Sequence, residues 1–178
     1  FAEILRRVPD SKLELKDNAY RRPYSIRRIM SLMPDIAPDR LLFSISTSHS
    51  DHMLAYQQAD IILDPFPHTG GVVGMEQIYM GVPIITLYGT LAGGRSTSSV
   101  LTAMGRKEWI AKTNEEYVDL AIKLSEQPKF LADVRKTLRD ELLNSPVCKG
   151  YVEVVEQTYR QIWKKWLGFT RQVVFLYD

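Results

Sequence analysis

Residues 61–87 read IILDPFPHTGGVVGMEQIYMGVPIITL. This stretch predicts a strand, a turn with two glycines, a helix and a second strand, in that order. The apolar runs at 61–63 and 82–87 have the length and composition of buried strands. Between them, the turn at Gly70-Gly71 leads directly into a helix predicted over 72–80. A strand, a helix and a strand in such close succession predict two parallel strands with the helix packed against them.

The same alternation of short strands and helices extends to both sides of this unit. Upstream, strands are predicted at 12–15 and 41–45, and helices at 24–33 and from the cap at 48–51 to residue 58. Downstream, the pattern predicts a helix at 96–104, a strand at 109–111, and helices that begin near 114, 128 and 151. Short apolar strands separated by helices are typical of a parallel sheet that is covered on both faces. The sequence therefore predicts an α/β fold with a Rossmann-like parallel sheet and helices on both faces.

The last predicted helix carries an apolar stripe with the period of an α-helix. We expect this stripe to pack in the core rather than to stack on a ligand. The helix is expected to end before Gly168, so that the domain spans 1–167 and 168–178 form a tail, either a packed edge strand or a foreign terminus. The members of the stripe are Tyr151, Val154, Val155, Thr158, Tyr159, Ile162, Trp163 and Trp166.

Composition excludes several classes of protein. With 23 basic and 21 acidic residues among 178, the net charge of +2 is too even for a dedicated nucleic-acid binder. A single cysteine, Cys148, cannot form an internal disulfide and favours a reducing compartment, so we expect the cytoplasm or the nucleus. No run approaches the roughly 18 apolar residues of a membrane span. The first residue, Phe1, lies in a predicted helix and is not a methionine, which indicates a fragment of a longer protein.

The turn before the central helix is the strongest candidate for a ligand site. Glycines allow backbone N–H groups to approach a ligand closely, and a helix N-terminus favours an anion such as a phosphate. In the first turns of this helix, Glu76 could accept hydrogen bonds from ribose hydroxyls. The turn has neither the Gly-Lys-Ser/Thr of a Walker loop nor the Gly-x-Gly-x-x-Gly fingerprint. On these residues alone, a phosphate cradle and a purely structural turn both remain open.

No metal centre is expected. All three histidines, His49, His52 and His68, lie close together in sequence, but they lack the ligand spacing of a zinc site. The Asp-x-Asp pattern with which many nucleotide-sugar enzymes hold a metal is absent. No Gly-x-Ser-x-Gly elbow indicates a nucleophile, and we interpret 96–99 as a helix entry.

Several segments, taken together, resemble the catalytic region of the protein O-GlcNAc transferase family, which also contains the SPINDLY-type protein O-fucosyltransferases. The resemblance covers 1–167 in one register. The segments are DHMLAY at 51–56, ADIILDPFP at 59–67, GMEQIYMGVP at 74–83, IAKTNEEY at 110–117, SPVCKG at 145–150 and YRQIWKK at 159–165.

The resemblance implies the carboxyl-terminal, nucleotide-binding half of a GT-B glycosyltransferase that works without a metal. The family's catalytic histidine and its phosphate-neutralising lysine would lie upstream of this chain, so no catalytic residue is expected in it. The implied nucleotide-sugar contacts are Thr47, Ser48 and His49 at the base, His52 packed on the nucleotide, Glu76 at the ribose, and Gly71, Val72 and Val73 at the phosphates.

Two departures leave the donor open. O-GlcNAc transferases carry His-Thr-Thr where this chain has Gly71, Val72 and Val73, and His49 replaces a lysine of that family. The resemblance implies the donor-binding part of an enzyme that transfers GlcNAc from UDP-GlcNAc to Ser/Thr of proteins. A SPINDLY-like O-fucosyltransferase that uses GDP-fucose and a catalytically inactive fragment or binding module are the alternatives. The implied partners are a nucleotide sugar, protein acceptors, an amino-terminal catalytic half and tetratricopeptide (TPR) repeats in the parent chain.

Overall fold

The computed structural model describes the backbone of residues 1–174 and the side chains of residues 1–168. Five short strands alternate with eight helices in this part of the chain, joined by 3-10 turns. The strands are β1 (Leu13–Lys16), β2 (Leu41–Ser44), β3 (Ile62–Leu63), β4 (Ile84–Leu87) and β5 (Ile110–Ala111). The helices are α1 (Ala2–Arg7), α2 (Pro23–Leu32), α3 (His49–Ala55), α4 (Val72–Tyr79), α5 (Ser96–Ala103), α6 (Asn114–Ser125), α7 (Pro128–Asn144) and α8 (Tyr151–Val174).

Every strand pairing is parallel, as the alternation of strands and helices predicted. Strands β1 and β2 form one sheet, with Leu13 opposite Leu41. Strands β3, β4 and β5 form a second sheet, with β4 in the centre. The parallel ladder is thus divided into a two-stranded and a three-stranded sheet, and the carboxyl ends of the strands lead into the loops before α3 and α4.

Helices cover both faces of the central strand. Successive side chains of a strand point to opposite faces, and in β4 Ile84 and Ile85 lie in two different clusters. The cluster around Ile84 contains buried residues of α4, α5 and α7, and the cluster around Ile85 contains buried residues of α1 and α6. The predicted α/β architecture with helices on both faces is confirmed.

A third cluster holds the two-stranded sheet against α1. It joins Leu5, Leu13, Ile36 and Leu41, all of them buried. The Arg40 guanidinium strengthens this junction, because one nitrogen donates to the carbonyl oxygens of Leu5 and Val8 at 2.8 Å each. Both sheets are therefore fixed to α1, and the loops that leave them occupy defined positions.

Helix α8 differs from the prediction in its length and its surroundings. It continues through Gly168 to Val174, so residues 168–174 are helical and not an edge strand, and 175–178 lie outside the described residues. Its aromatic stripe is exposed and not part of the core: Trp163 is 58% exposed, and its ring stacks on that of Trp166 at 5.2 Å. The period of a sequence specifies an apolar face but not the surface that covers it. Although α8 has 24 residues, neither it nor any other helix within 1–174 has an apolar run fit to cross a bilayer.

Candidate functional site

A buried carboxylate holds the turn that precedes α4. Asp64 follows β3 directly, and its side chain is only 1% exposed. One carboxylate oxygen accepts from the backbone N–H of Gly70 at 2.9 Å, and the other accepts from the Thr86 hydroxyl on β4 at 2.7 Å. Burial raises the pKa of the Asp64 carboxyl above its usual range, and these hydrogen bonds oppose the shift. The start of the turn is therefore tied to the central sheet.

A second set of hydrogen bonds fixes the same turn from α5. The Thr97 hydroxyl donates to the Gly70 carbonyl oxygen at 2.8 Å. A side chain at Gly74 would meet the Thr97 hydroxyl oxygen at 3.2 Å, so glycine allows α4 and α5 to lie close together. Since the turn is held from β3, β4 and α5, its backbone is positioned before any ligand arrives.

The N-terminus of α4 opens toward solvent. Gly71 is the N-cap residue, no side chain caps the helix there, and a Cβ on Gly71 would meet no atom within 4 Å. The first amides of a helix have no partner within the helix, and together with the helix dipole they favour an anion. Val72 and Val73 are 66% and 44% exposed and bring methyl groups, not hydroxyls, to this opening. The arrangement can bind a phosphate through backbone amides.

The second predicted segment, 47–52, lies at the end of the other sheet. The Ser48 hydroxyl caps α3, since it accepts from the Asp51 N–H at 3.2 Å and donates to the Asp51 carboxylate at 2.7 Å. The Thr47 hydroxyl oxygen accepts from the Lys16 ammonium at 3.2 Å. The hydroxyl of Ser48 is thus occupied in capping the helix.

The structure brings the two predicted segments together through His49 and Glu76. The Nδ1 atom of His49, at the start of α3, lies 3.8 Å from Oε1 of Glu76 on α4. The imidazole is largely exposed, whereas the carboxylate is mostly covered. A basic ring and a carboxylate therefore stand side by side next to the open end of α4.

His52 lies deeper in the same region and pairs with Tyr56. Its Nε2 atom is 2.7 Å from the Tyr56 hydroxyl oxygen, and the two rings meet edge to face at 4.9 Å. Burial lowers the pKa of His52, the charges of Lys16 and His49 lower it further, and Glu76 opposes them. The ring is therefore neutral at physiological pH.

Sequence reasoning missed three side chains of this region: Lys16, Tyr56 and Asp64. Lys16 is the last residue of β1, and its charge acts on His52. The rule that ligands lie outside the carboxyl ends of parallel strands could have identified Lys16. Asp64 was read only as part of a motif, because only the fold brings it to Gly70 and Thr86. Tyr56 was read only as part of a resemblance, although its spacing of four residues from His52 on the predicted helix could have indicated the contact.

The side chain of Arg95 braces its own loop, since it donates to the carbonyl oxygens of Gly89 and Thr90 at 2.7 and 2.8 Å. Within the described residues, no three His, Cys, Asp or Glu side chains come together as a possible metal site.

Several known proteins are similar to this chain over most of its length. The sequence profile of glycosyl transferase family 41 matches residues 1–155. The "Probable UDP-N-acetylglucosamine--peptide N-acetylglucosaminyltransferase SPINDLY" of Arabidopsis thaliana is 35% identical over 172 residues, and that of Hordeum vulgare is 34% identical over 171. The alignments cover 93% of this chain and 19% and 18% of those proteins. The UDP-N-acetylglucosamine--peptide N-acetylglucosaminyltransferase of Caenorhabditis elegans is 30% identical over 168 residues, which are 93% of this chain and 14% of that protein.

A solved structure gives the same result for the fold. A mutant of the Thermobaculum terrenum O-GlcNAc transferase superposes with a TM-score of 0.85 at 31% identity, over 92% of this chain and 32% of that one. The expected fold class, that of the carboxyl-terminal half of a GT-B glycosyltransferase, is confirmed. This chain spans about a fifth of the length of the curated SPINDLY relatives. The match over most of its residues shows that the chain belongs to glycosyl transferase family 41.

Proposed function

We propose that this chain is the donor-binding part of a protein O-glycosyltransferase that transfers GlcNAc from UDP-GlcNAc to Ser and Thr hydroxyls of proteins. The observation that carries the proposal is the open N-terminus of α4, whose turn is held in place by Asp64 and Thr97. Membership of glycosyl transferase family 41 supports the reaction class. The three relatives compared above are all named for UDP-N-acetylglucosamine and a peptide acceptor.

In this proposal the chain stabilises the departing nucleoside diphosphate. Negative charge grows on the diphosphate as the glycosidic bond breaks, and fixed donors aimed at that charge lower the barrier. The amides of Gly71, Val72 and Val73 would supply such donors. The base would lie against the backbone of 47–48 and the ring of His49, and the Glu76 carboxylate would accept from the ribose hydroxyls.

We include metal-independent binding in the proposal. The positive end of α4 and the Lys16 ammonium, which lies beside Thr47, are the groups that can offset the diphosphate charge. Nucleotide affinity is therefore expected to be unchanged when a chelator replaces added divalent cations.

A SPINDLY-like enzyme with GDP-fucose as its donor is the second candidate. The observation that favours it is the His52–Tyr56 pair, which lies within the DHMLAY segment at 51–56 that resembles the SPINDLY-type proteins. A folded but inactive binding module is the third candidate, since the Val72 and Val73 side chains bring no hydroxyl to the opening.

The partners and the location are part of the same proposal. We propose that the chain acts with an amino-terminal catalytic half, and with TPR repeats, in the cytoplasm or the nucleus. This chain covers only 18% of the Hordeum vulgare relative, which supports the proposal that the enzyme has further parts. Cys148 is exposed and forms no disulfide, which is compatible with a reducing compartment.

Calorimetric titration with UDP, UDP-GlcNAc, GDP and GDP-fucose, each with and without EDTA, tests the proposal. Binding of the uridine pair supports UDP-GlcNAc, and binding of the guanosine pair favours the second candidate. Absence of binding by all four at millimolar concentrations would contradict both and leave the inactive module.

Two variants at one position test the site itself. Either Gly71→Asp or Gly71→Asn can cap α4, and the open space at Gly71 accepts both side chains. Only the aspartate adds a negative charge, so we expect Gly71→Asp to bind the diphosphate at least about tenfold more weakly than Gly71→Asn. Equal affinities for the two variants would mean that the diphosphate does not sit at α4.

A further inference from the structure

His52 is held by a tyrosine one helical turn away. Residues four apart on a helix are neighbours on its surface, and Tyr56 follows the end of α3 at that spacing. The tyrosine is buried, and its hydroxyl oxygen lies 2.7 Å from Nε2 of His52. The edge-to-face contact of the two rings at 4.9 Å fixes the plane of the imidazole as well.

The chemistry of the two groups gives the direction of this hydrogen bond. A phenol O–H is a stronger donor than an imidazole N–H, and the lone pair of an unprotonated imidazole nitrogen is a stronger acceptor than a phenol oxygen. The O–H of Tyr56 is therefore assigned as the donor and Nε2 of His52 as the acceptor.

A neutral imidazole has one N–H, so the partner of one nitrogen decides what the other nitrogen can do. With Nε2 as the acceptor, the proton lies on Nδ1. The charged and titratable groups that act on His52 are Lys16 from β1, Glu76 from α4 and His49 from α3. Burial, Lys16 and His49 outweigh Glu76, so the ring stays neutral and the choice of tautomer matters.

We propose that Tyr56 is a positioning residue that fixes His52 as the Nδ1-protonated tautomer, so that its Nδ1–H is presented as a donor to an acceptor atom of the bound nucleotide. The statement about the nucleotide rests on the proposed function, whereas the statement about the tautomer does not. Tyr56 itself need not touch the ligand.

Nitrogen-15 NMR of the histidine rings tests the tautomer directly, without any ligand. In the unmodified protein, the Nε2 resonance of His52 is expected in the unprotonated range and Nδ1 in the protonated range. In Tyr56→Phe, which removes only the hydroxyl, the ring is expected to shift toward the Nε2–H form. Tyr79→Phe, at the far end of the neighbouring helix α4, is the matched control and is expected to leave the His52 resonances unchanged.

The spectrum of the unmodified protein keeps the test independent of the folding of Tyr56→Phe. An Nε2–H ring in the unmodified protein would overturn the proposal. An unchanged tautomer in folded Tyr56→Phe would overturn it as well.

Nucleotide titration of the same samples completes the experiment. Tyr56→Phe is expected to weaken the binding of the preferred nucleotide about threefold to tenfold, the range for one modest hydrogen bond. Equal affinity together with a changed tautomer would overturn the role of Nδ1–H toward the ligand. Absence of nucleotide binding in the unmodified protein would instead contradict the proposed function and leave the tautomer assignment standing.

Discussion

Val72 and Val73 lie where a diphosphate would need donors, and their side chains have none to give. Threonine has nearly the shape of valine and adds a hydroxyl, and both positions are exposed, so the change is compatible with the fold. A hydrogen bond to a charged group contributes about 1.5–3 kcal/mol. We therefore expect the double variant Val72→Thr, Val73→Thr to bind the preferred nucleotide diphosphate at least about tenfold more tightly.

Calorimetric titration checks this expectation against a matched control. Val152→Thr with Val154→Thr makes the same change at two exposed valines of α8, away from the turn, and should leave the affinity as it was. Equal affinity in both double variants would show that hydroxyls at the start of α4 do not reach the ligand.

The buried Asp64 carboxylate makes a second prediction, for stability against pH. Its folded-state pKa is raised, chiefly by burial, so the folded protein binds this proton more tightly than the unfolded chain does. The stability that comes from the proton is present at low pH and is lost as pH rises from the ordinary carboxyl pKa through the raised one.

Asp64→Asn isolates this effect, because the amide oxygen can still accept from Gly70 and the amide nitrogen can donate to the Thr86 oxygen. We expect the free energy of unfolding of the unmodified protein, minus that of Asp64→Asn, to fall as the pH rises above the ordinary carboxyl pKa of about 4. Urea unfolding followed by circular dichroism measures this difference, with the exposed Asp133→Asn as the control. A difference that rises with pH would contradict the assignment.

Residue-level prediction of the candidate site rested on local signals. Glycines before a helix and an acidic residue in its first turns pointed to the turn at Gly71 and to Glu76, and the structure places Glu76 beside His49. Asp64 was missed as a functional residue because its partners Gly70 and Thr86 come from the turn and from β4, and only the fold brings them together.

At the level of the elements, helices α7 and α8 have similar amphipathic patterns but opposite surroundings. Leu138 of α7 is fully buried in the cluster around Ile84, whereas Trp163 of α8 is mostly exposed. We expect Leu138→Ala to lower the free energy of unfolding by about 2–5 kcal/mol. Trp163→Ala should change it by no more than about 0.5 kcal/mol, although it removes the larger side chain.

Urea titration of the two variants, followed by circular dichroism, measures both values under the same conditions. A loss in Trp163→Ala as large as that in Leu138→Ala would mean that the α8 stripe contributes to the core after all.

The elements themselves were largely predictable, because the period of apolar residues and the turn residues act over a few positions. Helices α2 and α4 begin and end within one residue of the predicted bounds. The exposure of the apolar face of α8 was not predictable, since the period of a helix does not tell which surface that face meets. The division of the parallel strands into two sheets depends on long-range pairing and was likewise not encoded in any one segment.

For the whole molecule, the prediction concerns activity. The catalytic histidine that the family resemblance implies would lie outside this chain, so we expect the chain alone to bind the nucleotide but not to transfer sugar. A radiolabelled transfer assay to a Ser/Thr-rich acceptor peptide, run beside a binding titration on the same sample, measures both. Transfer by the chain alone would show that its own residues suffice for catalysis.

The fold class was the most predictable property at this scale, because the same strand–helix alternation recurs along the chain and each repeat points to a parallel sheet. The even charge argues against nucleic acid as a partner, but nothing in the composition distinguishes uridine from guanosine donors. In the proposed function, that choice depends on a few contacts around His49 and His52, whose geometry arises only after two sheets are assembled.

The three tryptophans differ in their exposure to water, so tryptophan fluorescence can report on the surroundings of α8. Trp109 is buried against the core, while Trp163 and Trp166 lie exposed and stacked on α8. Two of the three emitters are thus surrounded by water, and their emission should lie to the red of a buried indole. A surface that packs on the aromatic face of α8 would exclude water from these two rings and shift their emission to the blue. Binding of such a surface to α8 can therefore be followed without a label.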